Sequence, residues 1–578
     1  QRTYFTSDEF EPRVTDLSLA TSAPPYPAAW YVLGVTPPIT APSVAPSGGS
    51  GTDETRVYIY TFVTQWGEES APSPASTPAT GKPNATWAMT GMNAAPSNSY
   101  SVTAVSWSSG TLTFTVGSTF GLRAGEYVTL SALAPTTLNV SMKVASVTDA
   151  THFTVALAAD PGTITDQTGT AARDAPHNTS NMTKRIYRSV TSGDVTDYFY
   201  VAEIAVATTT YDDLITDIGE PCPTIGWAMP PVDLRGIQFH PSGAAIGFSS
   251  LGLCFSEPLA PYAWPITYQQ VTDYPIVGLG QFGQAVVVAT QGVPYLASGV
   301  DPAGMAMQRV EQPWPCLAKR SVVSLGYGVA YASPLGLALV GAEGPQLITA
   351  ELYAFVEWAR VFPASFICAQ HDTRYYAIFE GDGGEGGLWI LGQGNNTTGT
   401  TRPTAIYTDP GTGKLYVVVS NILYEWMGDI GSRLSADWMS KEFVEANPLN
   451  LGAARVDADF TTTPAEAAAA QANYNAVVAA NQALITARTS KGSTNAVSLN
   501  VLSMNGPLVQ EPPPLEFNSL VFTLYEGNEA VFSKQVTNNR TFRLPASRKY
   551  DSYAVRVSGN VVVQSIAVGS TPAALKQI

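Results

Sequence analysis

Charge is scarce in this chain. Only 13% of its 578 residues are Asp, Glu, Lys or Arg, and the balance is acidic: 30 basic against 46 acidic side chains, a formal net charge of −16. No basic run is longer than the pairs Lys184-Arg185, Lys319-Arg320 and Arg548-Lys549. The chain therefore lacks the phosphate-neutralising patch of a protein that grips nucleic acid. Cysteine is equally sparse. Cys222, Cys254, Cys316 and Cys368 form no C-x-x-C pair and sit beside apolar or aromatic residues, as in Leu253-Cys254-Phe255, which points to reduced, buried thiols made in a cytoplasm rather than a disulfide framework. Long apolar runs are missing too: the windows Ala285 to Thr290 and Val329 to Val340 are short or broken by Pro334 and Gly336, far from the roughly 20 residues of a membrane-spanning helix. The start, Gln1-Arg2-Thr3-Tyr4, shows no signal-peptide apolar region, and the missing initiator Met leaves a removed leader open.

What the chain does have is 45% hydrophobic residues, 10% aromatics, 49 glycines and 42 prolines. Turn formers and aromatics in a low-charge background describe a folded, mainly β protein rather than a disordered one. The length exceeds what one core usually holds, so three or four units are expected.

Residues 1–54 are Pro-rich and end in Pro46-Ser47-Gly48-Gly49-Ser50-Gly51-Thr52, a composition that suits an extended N-terminal arm and flexible joint. The β run Arg56 to Val63 and the exit Trp66-Gly67-Glu68-Glu69-Ser70-Ala71-Pro72-Ser73-Pro74 read as fibronectin-like strands. Their partners, Lys184 to Arg188 and Tyr198 to Ile204 followed by Thr210-Tyr211-Asp212-Asp213, come only after a long interval. A fibronectin-like β-sandwich is thus expected over 55–99 and 176–230, split by an insertion at 100–175. The insertion carries short runs of its own (Ser101 to Trp107, Thr111 to Val116, Tyr127 to Leu130, Lys143 to Val147, Thr151 to Ala156), spaced as in a small β-barrel.

From residue 231 paired β runs begin near Gly236, Ile276, Val322, Phe366 and Ala405, with intervals of 40, 46, 44 and 39 residues. A period of roughly 40 residues with two to four strands per unit predicts a β-propeller, expected over 231–460 and 495–578, with an irregular array of β-sandwiches as the alternative. One insertion, 461–494, departs from the β pattern. Thr463-Pro464-Ala465-Glu466 reads as a capping box with proline at the first helical position, and Lys491-Gly492 as a stop. The long helix between them carries only a narrow apolar stripe of Tyr474, Val477, Val478, Leu484 and Ile485. It is expected to project from its domain toward another protein surface, such as the same helix of a neighbouring subunit, or else to pack as a surface helix on its own blade.

Catalytic signatures are not found. Gly278-Leu279-Gly280-Gln281-Phe282-Gly283 matches a dinucleotide fingerprint in letters, but Gln284 to Thr290 after it is a strand, not a helix whose N-terminus faces pyrophosphate; it is read as a glycine-rich hairpin. His152, His177, His240 and His371 lack a second ligand at metal spacing. Glu380-Gly381-Asp382-Gly383-Gly384-Glu385 could bend around calcium but has no ordered loop spacing, and reads better as an acidic hairpin tip. No G-x-S-x-G elbow marks a nucleophile. The expectation is a non-enzyme without cofactor or metal, whose aromatics pack cores rather than stack bases or sugars.

Several segments resemble, in order, the nozzle (packaged-DNA stabilisation, or tail tubular) proteins of short-tailed bacteriophages. They are Leu33-Gly34-Val35, Leu253 to Pro258 with Tyr262-Ala263-Trp264-Pro265, Val288 to Tyr295, Lys319 to Val323 and Tyr331 to Leu337. The C-terminal set is Trp438 to Phe443, Leu524-Tyr525-Glu526-Gly527, Phe542 to Ala546 and Val555-x-Val557-Ser558-Gly559. The likeness touches most of the chain outside the two insertions. It implies a virion tail protein assembled in the host cytoplasm as a homo-oligomer, a hexamer below the portal and adaptor ring. Such a ring would continue the DNA channel, meet plug, needle or fibre proteins, and let double-stranded DNA pass without specific binding. Asp382 and Glu385 are the acidic residues nominated to face that channel. The alternative is a receptor-binding or fibre-type tail protein whose barrel recognises host glycan; a third reading is a secreted adhesin.

Overall fold

A computed structural model describes residues 2–192, 195–382, 386–391, 396–399, 402–428, 435–489, 518–545 and 548–576. The chain is mainly β and divides into two compact units, 1–426 and 427–578.

In the first unit, five antiparallel sheets follow one another as propeller blades. Their first strands are Arg235–Phe239, Ile276–Phe282, Val323–Ser324, Ile367–His371 and Ala405–Thr408. Each start lies within one residue of the run expected from the sequence. Blades one to four have four strands, and the fifth has three: Ala405–Thr408, Leu415–Val419 and Ile422–Glu425.

The second strands explain why these runs are continuously apolar. Val286 and Val288 pack into a cluster with Phe248 and Phe255 of blade one, while Val287 and Ala289 pack with Val329 and Tyr331 of blade three. Tyr375 and Ala377 join Ala330 and Ala332 of blade three, while Tyr376 and Ile378 join Leu415 of blade five. Side chains of a strand alternate between two faces, so a blade stacked on both sides needs apolar residues at every position. Each fully buried Val, Leu, Ile or Phe among them contributes roughly 1.5–3 kcal/mol.

The glycine motif serves the same stacking. Gly278 and Gly280 lie inside the strand Ile276–Phe282, and only Gly283, at φ +54°, occupies the turn. A Cβ on Gly280 would sit 2.4 Å from Cγ1 of Val329 in the next blade. The missing side chain lets blades two and three close. Across the inner strands, the Gln281 side-chain amide donates to Gln238 Oε1 at 3.1 Å, and the Gln281 backbone N–H donates to Ser324 Oγ at 2.9 Å.

Ahead of the propeller stands the sandwich. Tyr58–Val63, Thr183–Ser192 and Val195–Ala205 form one sheet; Ser43–Ser47, Thr86–Thr90 and Tyr211–Asp213 form the other. Tyr58, Tyr60, Phe62, Trp87, Met89 and Ile186 fill the space between them. The exit segment after Tyr58–Val63 turns back along that strand as a serine ladder. Ser70, Ser73 and Ser76 donate their backbone N–H groups to the carbonyls of Phe62, Tyr60 and Tyr58, and their hydroxyls accept from the N–H groups of the same three residues. Prolines between the serines cannot extend a sheet, so the strand edge is covered without offering a new one.

The inserted barrel is closed, in the order Thr111–Val116, His152–Ala156, Ser141–Val147, Tyr127–Ser131, Gly169–Arg173, Ser99–Ser108. Its interior is lined by Val105, Leu112, Phe114, Val128, Leu130 and Phe153, with the Phe114 and Phe153 rings stacked at 4.9 Å. Gly169–Arg173 was not among the expected strands. Its sequence, Gly-Thr-Ala-Ala-Arg, has no bulky apolar alternation; fully buried Ala171 is the residue it contributes to the barrel core.

Two expectations are corrected. Residues 1–54 are not an extended arm: Arg2–Phe5, Arg13–Asp16 and Tyr31–Val32 form a sheet, and Ser43–Ser47 is a sandwich strand. The cause is burial of Val14, Val32 and Leu33, apolar residues that the proline-rich composition hides. The span 231–460 with 495–578 is also not one propeller. Strands Ala436–Met439, Phe443–Leu449, Leu520–Glu526, Glu529–Val536 and Tyr550–Gly559 make one sheet, and Phe542–Arg543, Ala453–Asp459 and Val562–Gly569 another. They close on Val456, Phe522, Leu524, Tyr550 and Val557, a core of their own in the second unit. The helix runs Pro464–Thr489, with the expected reciprocal cap: Glu466 N–H donates to Thr463 Oγ1 at 3.2 Å, and Thr463 N–H to Glu466 Oε2 at 2.7 Å. Along it Tyr474, Val477 and Leu484 are half-buried and Val478 and Ile485 exposed.

Candidate functional site

The nominated acidic loop follows the second strand of blade four, Arg374–Phe379. Asp382 is exposed there, and Glu385 lies outside the described residues. Glu380, at the base, is paired with Arg402 at 2.7 Å. The turn therefore presents Asp382 to solvent with part of its neighbouring charge already neutralised.

The other sequence candidates resolve as scaffold. His177 is buried, with Nε2 2.9 Å from the Gly121 carbonyl and Nδ1 3.5 Å from Thr36 Oγ1. His240 sits against Ser242 and the Gln284 carbonyl, His371 against the Gly413 carbonyl, and His152 beside Asp149 on an exposed hairpin. Among the described residues no group of three or more His, Cys, Asp or Glu side chains is placed to hold a metal ion. All four cysteines are free, and Cys222, Cys254 and Cys316 are buried; burial pushes the Cys254 thiol up to about 12 and the Cys316 thiol up to about 11.

What the sequence did not disclose is where the arginines go. At the foot of the barrel, Glu126 takes Arg173 at 2.7 Å and Arg123 at 3.1 Å, and Arg173 also donates to the Gly121 carbonyl at 2.6 Å. Burial would raise the Glu126 carboxyl, but the two guanidinium groups outweigh it and hold it at about 2. Burial, with Arg173 nearby, keeps His177 neutral, its pKa lowered to about 3. Arg123 reaches on to the Pro230 carbonyl at 3.1 Å, tying the barrel to the entry of blade one. In the sandwich, Asp213 is fully buried between Arg56 at 3.4 Å and Arg188 at 3.0 Å, and accepts from Tyr58 at 2.7 Å. Arg13 bonds Glu11 at 3.1 Å and lies over the rings of Phe10 and Trp30.

The N-terminal strand ties these parts together. Arg2 pairs with Glu68 at 2.7 Å and stands over Trp66, Tyr4 meets Phe239 of blade one edge-on at 5.5 Å, and Asp8 bridges Arg235 at 3.0 Å and Lys319 at 3.3 Å. The arginines Arg13, Arg56, Arg173 and Arg188 have side chains less than a tenth exposed. Each is held by protein carboxylates and is closed to a polyanion outside.

The described residues of the segments likened to nozzle proteins lie on strands, turns and the 3-10 helix Lys319–Ser321, in both units. Thr290 Oγ1 donates to the Val293 carbonyl, and Ser333 Oγ to the Gly336 carbonyl, closing matching hairpins of blades two and three. In the second unit, Trp438 registers with Val557, Leu524 with Val555, and Ala454 with Phe542.

No protein-family model and no curated protein matches the chain. Among solved structures it is similar to BBS1N in complex with ARL6DN, at TM-score 0.24 and 8% identity over 42% of this chain and 86% of that one. It is also similar to Kluyvelomyces marxianus Hsv2, at TM-score 0.24 and 11% identity over 43% and 73%. A third is the phage phi92 endosialidase, at TM-score 0.15 and 12% identity over 68% and 71%. Likeness at these scores carries no argument about what the chain does.

Proposed function

We propose that this chain is the ring-forming subunit of a distal tail nozzle, a structural virion protein whose copies surround the DNA channel, retain packaged DNA and let it leave on infection. The observation that carries this reading is the ordered set of nozzle-like segments, of which Val288 to Tyr295 and Tyr331 to Leu337 span blade hairpins and Trp438, Leu524 and Phe542 lie on paired strands of the C-terminal unit. Those are positions where a sequence motif serves shape.

The physics of passage follows from the charge. A chain of net charge −16 whose buried arginines are held by its own carboxylates presents DNA with like charge, so the polymer is repelled from the wall rather than trapped on it. Asp382, exposed on its turn, is the described residue nominated to contribute to that wall.

Symmetry-resolved cryo-electron microscopy of the virion tests the reading. The expected result is a hexamer of this chain around the tail axis, below the portal and adaptor. A trimer on the periphery would support the fibre-type, glycan-recognising alternative, and any position off the axis would overturn the nozzle.

A further inference from the structure

The propeller stack stops on a face built like the faces it buries. In blades two to four, alternate residues of the second strand pack on the preceding and the following blade, as Tyr375 and Ala377 against blade three and Tyr376 and Ile378 against blade five. Blade five repeats the pattern. Leu415 and Val417 are buried, and Leu415 joins the cluster shared with blade four.

The intervening Tyr416 and Val418 project to the opposite face, where the register sets Tyr407 beside Tyr416 and Leu423 beside Val418. Tyr407 is 59% and Leu423 65% exposed. Glu425 stands opposite Tyr416 on this same face and is neutralised by Lys414 at 2.9 Å.

Among the described residues of the first unit, the serine ladder flanks the sandwich edge, the barrel closes on itself, and blades one to four stack on one another. A face of four large side chains whose one carboxylate is cancelled by Lys414 is the kind of patch that marks a contact with another molecule.

Charge indicates which molecule. Two copies of a chain with net charge −16 repel over most of their surfaces and can approach closely where both are neutral. The face also continues an interface that the chain already makes four times with its own sheets. We propose that the outer face of the fifth blade, formed by Tyr407, Tyr416, Val418 and Leu423, is where a second copy of this chain docks. The proposal deepens the nozzle reading and rests on it for the existence of an assembly.

Native mass spectrometry of the full-length protein tests both. Wild type is expected to assemble. Leu423→Asp and Tyr407→Asp are each expected to lower the assembled fraction at least about tenfold, as removal of a central contact does, with folded circular dichroism retained. Leu259→Asp, at a residue 86% exposed in a loop of blade one, is expected to assemble as wild type.

A wild-type hexamer that both variants leave intact would overturn the docking face while the nozzle reading stands. A non-hexameric assembly that both variants break would keep the face and sink the nozzle. A monomer at every concentration would end both. If an aspartate variant loses its folded spectrum, hydrogen exchange of wild type decides: strands Ala405–Thr408 and Ile422–Glu425 are expected to exchange more slowly in the assembly than after dilution, and unchanged exchange would overturn the docking face.

Discussion

Single residues carry the stacking and the acid sensitivity of the first unit. Gly280 faces Val329 with no room for a β carbon, so Gly280→Val forces blades two and three apart. Overpacking of this kind destabilises by about 1–3 kcal/mol, and a lowered urea midpoint is expected without loss of strand content by circular dichroism. At the foot of the barrel, two groups have folded pKa values below their ordinary ones: Glu126 at about 2 against 4.5, and His177 at about 3 against 6.5. Both bind protons more readily when unfolded, so the stability they contribute is complete above the unfolded value and lost as pH falls through the folded one. The His177 contribution fades between pH 6.5 and 3, and the Glu126 contribution between pH 4.5 and 2. Protection factors of barrel peptides, taken relative to the intrinsic exchange rate at each pH, should therefore fall on acidification below neutrality, and His177→Gln should remove the part of that fall lying above pH 4.5. An unaltered profile in the variant would contradict the assignment to His177.

At the scale of elements, two local devices recur: caps and covered edges. The Thr463 and Glu466 side chains satisfy each other's backbone N–H groups at the start of Pro464–Thr489. Thr463→Ala is expected to cost about 1 kcal/mol of local stability, read as faster exchange of the first helical turn with the rest of the second unit unchanged. In the serine ladder, Ser73 Oγ accepts the Tyr60 N–H at 3.2 Å inside the sandwich. Ser73→Ala leaves that buried donor without its acceptor, a loss of about 1–3 kcal/mol, whereas Ser73→Thr keeps the hydroxyl and should retain most of the stability. Chemical denaturation of the two variants side by side checks the difference.

For the whole molecule, the decisive quantity is net charge together with where the cations lie. Arg56, Arg173 and Arg188 are internal and paired, so a gel-shift titration with duplex DNA is expected to show no retention at 0.15 M salt and none at 0.02 M. A protein that neutralised several phosphates would gain orders of magnitude in affinity over that interval, and such a gain here would remove the physical basis of the proposed channel.

The local patterns in the chain were enough to determine its β class, the barrel insertion, the starts of the five blades and the helix cap. Turn residues, two-residue alternation and the Thr463-Pro464-Ala465-Glu466 signature act within a few residues and survive into the fold. Tertiary structure decided the rest, because the partners are distant in sequence. Gly169–Arg173 becomes a strand only between Tyr127–Ser131 and Ser99–Ser108. Arg2–Phe5 is held by residues of the sandwich and of blade one, and the C-terminal strands pair with one another instead of adding blades. Of the candidate site, Asp382 could be placed on a hairpin from its glycines alone. The arginine networks could not, since an Arg in a β run reads the same whether it meets solvent or a buried carboxylate, and only the packed structure brings Glu126 to Arg173 and Asp213 to Arg56.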